Sequence, residues 1–276
     1  MPVENANVIP NDVREYSYAW RNLTPEDVQN NWDKKLYHFI PYKHLLTLLQ
    51  TGDLYFVNLL NAWGAEPYEL FYYRPNYIKK SGNSQIPVNV KNVSTHFYAQ
   101  CWTENRDSNA MWSIYAGKNK DGVRITTTLG KIINLFYPVI NPDFMPYIGF
   151  MDYQWKKDIK TWVANRANIP FADWREASLD SLFIKRMNFN YEKEFRIVLS
   201  APSVLDNGQI NPPQNGLTKH IDINNFIDEI TLSPFIDDTI LQRQYRRITR
   251  YLNGQILVRQ SPLYKDDISN MTVVIH

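Results

Sequence analysis

The chain has 276 residues, 44% of them apolar and 14% aromatic, with a formal charge of +2 at pH 7. A chain of this length buries a sizeable core, and its aromatic-rich segments exclude a disordered tail. So small a charge excludes nucleic-acid binding driven by bulk electrostatics while leaving room for a local patch, and the single cysteine, Cys101, excludes an intramolecular disulfide and fits a reducing compartment.

The opening Met1-Pro2-Val3-Glu4-Asn5-Ala6 has no basic stretch followed by an apolar run, so no secretory signal is expected. No window offers the roughly 20 apolar residues that span a bilayer. The expectation is a cytoplasmic protein with no membrane partner. Residues 1–35 read as a polar N-terminal extension, with one helix signal in Thr24-Pro25-Glu26-Asp27, and residues 36–276 as one domain.

Leu36–Ile40 is a strand by its apolar and aromatic content. Pro41 then opens a helix whose Tyr42, Leu45, Leu46 and Leu49 fall on one face and which Gly52 closes. Leu54–Val57 is a second strand. Residues 58–93 scatter Pro, Gly, Asn and Ser among aromatics and read as a long loop, a candidate lid. Thr95–Trp102 is a strand, and Asp107 or Ser108 caps a short helix over Met111–Ala116, stopped by Gly117.

Val123–Thr127 is β-branched and extended, and helices are expected near 129–136, 154–166 and 173–186, with a strand at Tyr147–Met151. Glu192–Leu199 is a strand. His220–Ile223 and Glu229–Leu232 follow as strands, then a helix over Asp237–Tyr251 with Arg243, Arg246, Arg247 and Arg250 on its polar side. Gln255–Val258 and Met271–Ile275 close the chain as strands. Strands and helices mix without βαβ alternation, which points to α+β with largely antiparallel sheets.

The candidate chemistry centres on Glu192-Lys193-Glu194. In a strand, residues i and i+2 share a face, so the two carboxylates project together and must be solvated, paired or engaged with a ligand. Charged strand residues are most often solvated. His38 lies in an otherwise apolar strand that leads into a helix, a place for a hydrogen-bonded core histidine or for a ligand group. Asn105-Arg106-Asp107-Ser108 precedes Met111-Trp112-Ser113-Ile114-Tyr115, where Trp112 and Tyr115 share a helix face, as core or as a platform for a flat ring. Cys101 reads as a buried, inert thiol. No metal-ligand spacing, phosphate-binding glycine loop or G-x-S-x-G elbow is present.

In their order these motifs resemble a bacterial family known as domain of unknown function 2971. The similar blocks are Tyr37-His38-Phe39-Ile40-Pro41-Tyr42 through Gly52-Asp53-Leu54-Tyr55-Phe56; Cys101-Trp102-Thr103-Glu104 with Met111–Ala116 and Gly122-Val123; Lys185 with Tyr191–Val198; and Ile230-Thr231-Leu232-Ser233-Pro234. The same layout resembles ADP-ribosyltransferases of the His–aromatic–Glu type, DNA-targeting bacterial toxins among them. That resemblance implies split antiparallel sheets with peripheral helices and NAD, as co-substrate, in the cleft. It implies Glu194 as the catalytic glutamate and Glu192 as the partner that orients the acceptor. His38, with Tyr37, is implied for the ribose or adenosine end, Trp112 or Tyr115 for nicotinamide, and Arg106 for the same dinucleotide.

The function implied is a toxin or antiphage effector modifying a macromolecule, nucleic acid slightly ahead of protein, with an antitoxin as a further partner. Two alternatives stand beside it: a non-catalytic binding or immunity module, and a hydrolase built on Cys101 and His38.

Overall fold

The computed structural model describes residues 11–15, 17–59, 68, 70–75, 77–81, 84–88, 96–115, 120–137, 145–166, 174–201, 216–252, 254 and 256–264. The class is α+β, as the absence of βαβ alternation leads one to expect. The chain forms two compact units that interleave in sequence: unit 1 holds residues 1–36, 53–104 and 128–221, and unit 2 holds 37–52, 105–127 and 222–276.

Unit 1 is built on strands β1 (Trp20–Arg21), β3 (Asp53–Asn58), β6 (Phe97–Thr103), β8 (Met145–Phe150), β11 (Glu194–Ser200) and β12 (Gly216–His220). The order runs β1-β8-β11-β6, and β3 pairs with both β6 and β12. All of these pairings are antiparallel except β1 with β8. Every residue of β11 is buried between β8 and β6, the charged Glu194 and Arg196 included. The segment ahead of residue 36 belongs to this core. Trp20, Leu23 and Val28 are buried, and the Pro25–Asn30 helix starts at a capping box between Thr24 and Asp27.

Unit 2 carries most of β2 (Lys35–Ile40), then β7 (Val123–Thr128), β13 (Glu229–Leu232) and β14 (Leu257–Gln260), in the order β2-β7-β13-β14. The Tyr42–Thr51 helix buries Leu45, Leu46, Leu48 and Leu49 and ends on Gly52 at φ 73°, whose N–H donates to the Leu48 carbonyl at 2.8 Å. Only a residue tolerant of the left-handed region closes a helix in this way, so the sequence signal and the structure agree. The Asp238–Thr249 helix is capped by the Asp237 side chain, which accepts from Ile240 N–H at 2.8 Å.

Four expectations are corrected. Residues 58–93 are not one long loop, because a 3₁₀ turn at Phe71–Tyr73 and a hairpin of β4 (Tyr77–Ser81) with β5 (Ser84–Val88) lie within them. The helix expected over 173–186 stops at Ser181, and β10 (Ile184–Arg186) pairs in parallel with β9 (Asp152–Gln154). Burial of Leu182 and Phe183 at the break draws the chain out of the helix. The strand expected at His220–Ile223 lies earlier, at β12, because Asp222 caps a helical turn over Ile223–Phe226. The strand expected from Glu192 begins at Glu194, after a 3₁₀ turn over Met187–Glu192. Gly117 and the expected strand at Met271–Ile275 lie outside the described residues. Among the described residues, no helix is long and apolar enough to cross a membrane.

Candidate functional site

In unit 1 the two glutamates converge, by a route other than strand alternation. Lys193, between them, takes φ 40°, and its carbonyl accepts from Glu104 N–H at 3.0 Å. The Glu192 carbonyl accepts from the Thr103 hydroxyl at 2.5 Å. Both carboxylates then meet one ammonium: Lys185 Nζ lies 2.6 Å from Glu192 Oε2 and 3.0 Å from Glu194 Oε2. Arg196 Nε lies 2.6 Å from Glu194 Oε1, and its Nη1 donates to the Leu182 carbonyl at 2.5 Å. Glu192 and Glu194 are 7% and 3% exposed, which rules out the solvated-surface reading of the pair. A buried carboxylate requires this kind of pairing.

The electrostatics follow from the geometry. Burial works to raise the Glu194 carboxyl, but Arg196 and Lys185 outweigh it and hold the group at about 2. It is therefore a permanent anion at neutral pH, fit to stabilise a developing positive charge and too weak a base to take a proton efficiently. The Cys101 thiol hydrogen-bonds the same carboxylate, and burial together with Glu194 pushes it well above the usual thiol range. Such a thiol is a poor nucleophile, which removes the physical basis for a hydrolase on Cys101. Tyr153 accepts from Glu194 N–H at 2.8 Å, and burial pushes its phenol up.

In unit 2, Tyr37 and Phe39 are buried on one face of β2 with Met111 and Trp112 against them. The Trp112 ring meets Phe39 edge-on at 4.8 Å and is fully buried, whereas Tyr115 is half-buried and stacks on Phe39 at 6.5 Å with a 30° tilt. Trp112 thus serves as core, and of the two rings Tyr115 alone keeps exposed surface. His38 is half-buried and, by strand alternation, faces away from Tyr37 and Phe39.

Arg106 has half of its side chain exposed, with Nε 3.4 Å from Asp107. Its carbonyl accepts from Arg124, a residue sequence reasoning passes over. Arg124 is 1% exposed, lies 2.8 Å from both Asp107 and Glu229, and sits over the Tyr37 ring at 4.9 Å. An arginine inside the β-branched run Val123–Thr127 was the available signal, since a charge there must find partners. Lys185 was missed as the shared counter-ion because nothing local to it marks the pairing. Among the described residues, no group of three or more His, Cys, Asp or Glu is placed to hold a metal ion.

No family model matches the chain, and no curated protein does. The fold is similar to solved structures of Thermus sp. 2.9 DarT. The complex with NAD+ has a TM-score of 0.36 at 10% identity, covering 83% of this chain and 96% of that one. The complex with ADP-ribosylated ssDNA has a TM-score of 0.35 at 9% identity, covering 83% and 95%. A likeness this remote assigns neither an activity nor a residue role.

Proposed function

We propose that the protein is an NAD-dependent ADP-ribosyltransferase, a bacterial toxin or antiphage effector that acts in the cytoplasm on nucleic acid, with protein the second choice of acceptor. One observation carries the reading: Glu194 opens a buried strand as a permanently ionised carboxylate, with Glu192 drawn to the same ammonium. The motif resemblance places the catalytic glutamate at this position.

In this reading the bond between the ribose C1′ and the nicotinamide nitrogen breaks, and nicotinamide leaves with the electron pair. Glu194 stabilises the oxocarbenium character that develops on the ribose, an interaction stronger in the transition state than in the ground state. The acceptor nucleophile bonds to C1′ and gives up its proton to Glu192. His38 holds the ribose or adenosine end, a role the buried Tyr37 on the opposite face of β2 does not share; Tyr115 stacks on nicotinamide in preference to Trp112, and Arg106 pairs with phosphate. An antitoxin that blocks the site is the natural further partner.

A non-catalytic binding module is the second reading, favoured by the engagement of both Glu194 oxygens with cations. Incubation with labelled NAD and separate pools of DNA, RNA and protein decides between them. Label is expected in a nucleic-acid pool, and Glu194→Gln should lower the transfer by roughly 100-fold or more. Undiminished transfer by that variant would overturn the assignment. No label in any pool, with no rise in melting temperature on adding NAD, would favour the binding module.

A further inference from the structure

The Asp238–Thr249 helix of unit 2 carries Arg243 and Arg246, then Arg247 and, at its end, Arg250. At 100° per residue they fall within an arc of roughly 100°, one stripe down the helix, with neighbours about 5–6 Å apart. All four are exposed, and with Thr239, Gln242 and Tyr251 they line an open depression of about 720 Å³.

What sets them apart is that their guanidinium groups make no hydrogen bond, ion pair or ring contact among the described residues. Every other arginine whose side chain is described has a partner. Arg21 has Glu176 and Asp180, Arg124 has Asp107 and Glu229, Arg196 has Glu194 and Arg259 has Glu229. Arg14 has Gln29, Arg106 has Asp107, Arg166 and Arg186 lie on aromatic rings, and Arg74 is also engaged. Among the described residues, the guanidinium groups of the stripe have no such partner, and Arg243 and Arg247 lie only within electrostatic reach of the neutral Tyr42 phenol. Like charges at i, i+3 and i, i+4 destabilise a helix. The negative helix end offsets part of this for the last turn only.

Tyr251 completes the surface. The residue is 37% exposed, and its hydroxyl accepts from the Gln50 side chain at 2.9 Å, which holds the ring in place beside the cations. Cations in a row that follow a charged backbone, next to a fixed aromatic face for a base, are the elements of single-strand recognition.

We infer that this stripe is a docking surface for the phosphate backbone of a single-stranded nucleic acid, with Tyr251 stacking on a base. The inference deepens the acceptor class proposed above and rests on that reading only for the chemistry done to the strand. Four neutralised phosphates give a salt slope of about −2.8 for a single strand, so affinity should fall about 50-fold between about 50 and 200 mM salt.

The test is fluorescence anisotropy of the full chain with a short labelled oligodeoxythymidylate across that salt range. Replacing the four arginines by Gln should remove most of the binding and flatten the slope, while the four Lys replacements should keep the slope. Circular dichroism of the Gln variant should match wild type, and its release of nicotinamide from NAD should be unchanged. Binding and slope unaltered in the Gln variant overturn the inference, as does binding to anionic phospholipid vesicles but not to the oligonucleotide. Undiminished transfer by Glu194→Gln would overturn the catalytic reading and leave this binding result standing, so the two fail separately.

Discussion

Glu194 and Arg196 are two residues apart on β11, share a face by strand alternation, and are almost wholly removed from water. A buried pair of this kind contributes little net stability compared with apolar residues of the same shape, but it is costly to break. Arg196→Met leaves Glu194 with Lys185 as its one cation and should cost about 3 kcal/mol in urea denaturation; a loss below ~1 kcal/mol would show that Lys185 suffices. The depressed carboxyl also sets a pH dependence. A group whose folded value lies below its unfolded value stabilises above the unfolded one, near 4.5, and the contribution fades as pH falls toward about 2. The stability difference between wild type and Glu194→Gln should therefore be constant near neutrality and shrink across that acid window. A difference that stays flat down to about pH 2 would contradict the ion pairing.

Among the elements, β1 and β8 approach closely. Gly149 lies opposite Arg21, and a methyl group there would overlap the Arg21 carbonyl oxygen. Gly149→Ala should displace β1 and destabilise the protein by about 1–3 kcal/mol, read as a lowered melting temperature. An unchanged melting temperature would mean that the two-residue β1 gives way freely. The same packing displaces the sequence-based boundaries. Thr24 and Gly52 mark their helices correctly, since capping acts within four residues. β10 owes its existence to β9, some 30 residues upstream, and no local pattern announces that partner.

For the whole molecule, the interleaving of the two units means that neither is a continuous piece of chain. β6 finds its main antiparallel partner in β11, which in turn pairs with β8. A fragment of residues 1–104 lacks both, and with them the seven-residue pairing of β6 to β11. Such a fragment should show no cooperative urea transition by circular dichroism, and a sharp transition would contradict this view of the core.

Local patterning along the chain settles what depends on near neighbours. It specified the α+β class, the leucine face and glycine end of the Tyr42–Thr51 helix, and the suspicion attached to Glu192 and Glu194. Which charges meet is a matter of long-range packing. It chose Lys185 as the shared counter-ion and joined Arg124 to Glu229 across 105 residues. It also buried Trp112 while leaving Tyr115 partly exposed. The physical reason is range: periodicity and caps are written into a few consecutive residues, whereas the cost of burying a charge is met by whatever partner the folded chain brings within about 3 Å.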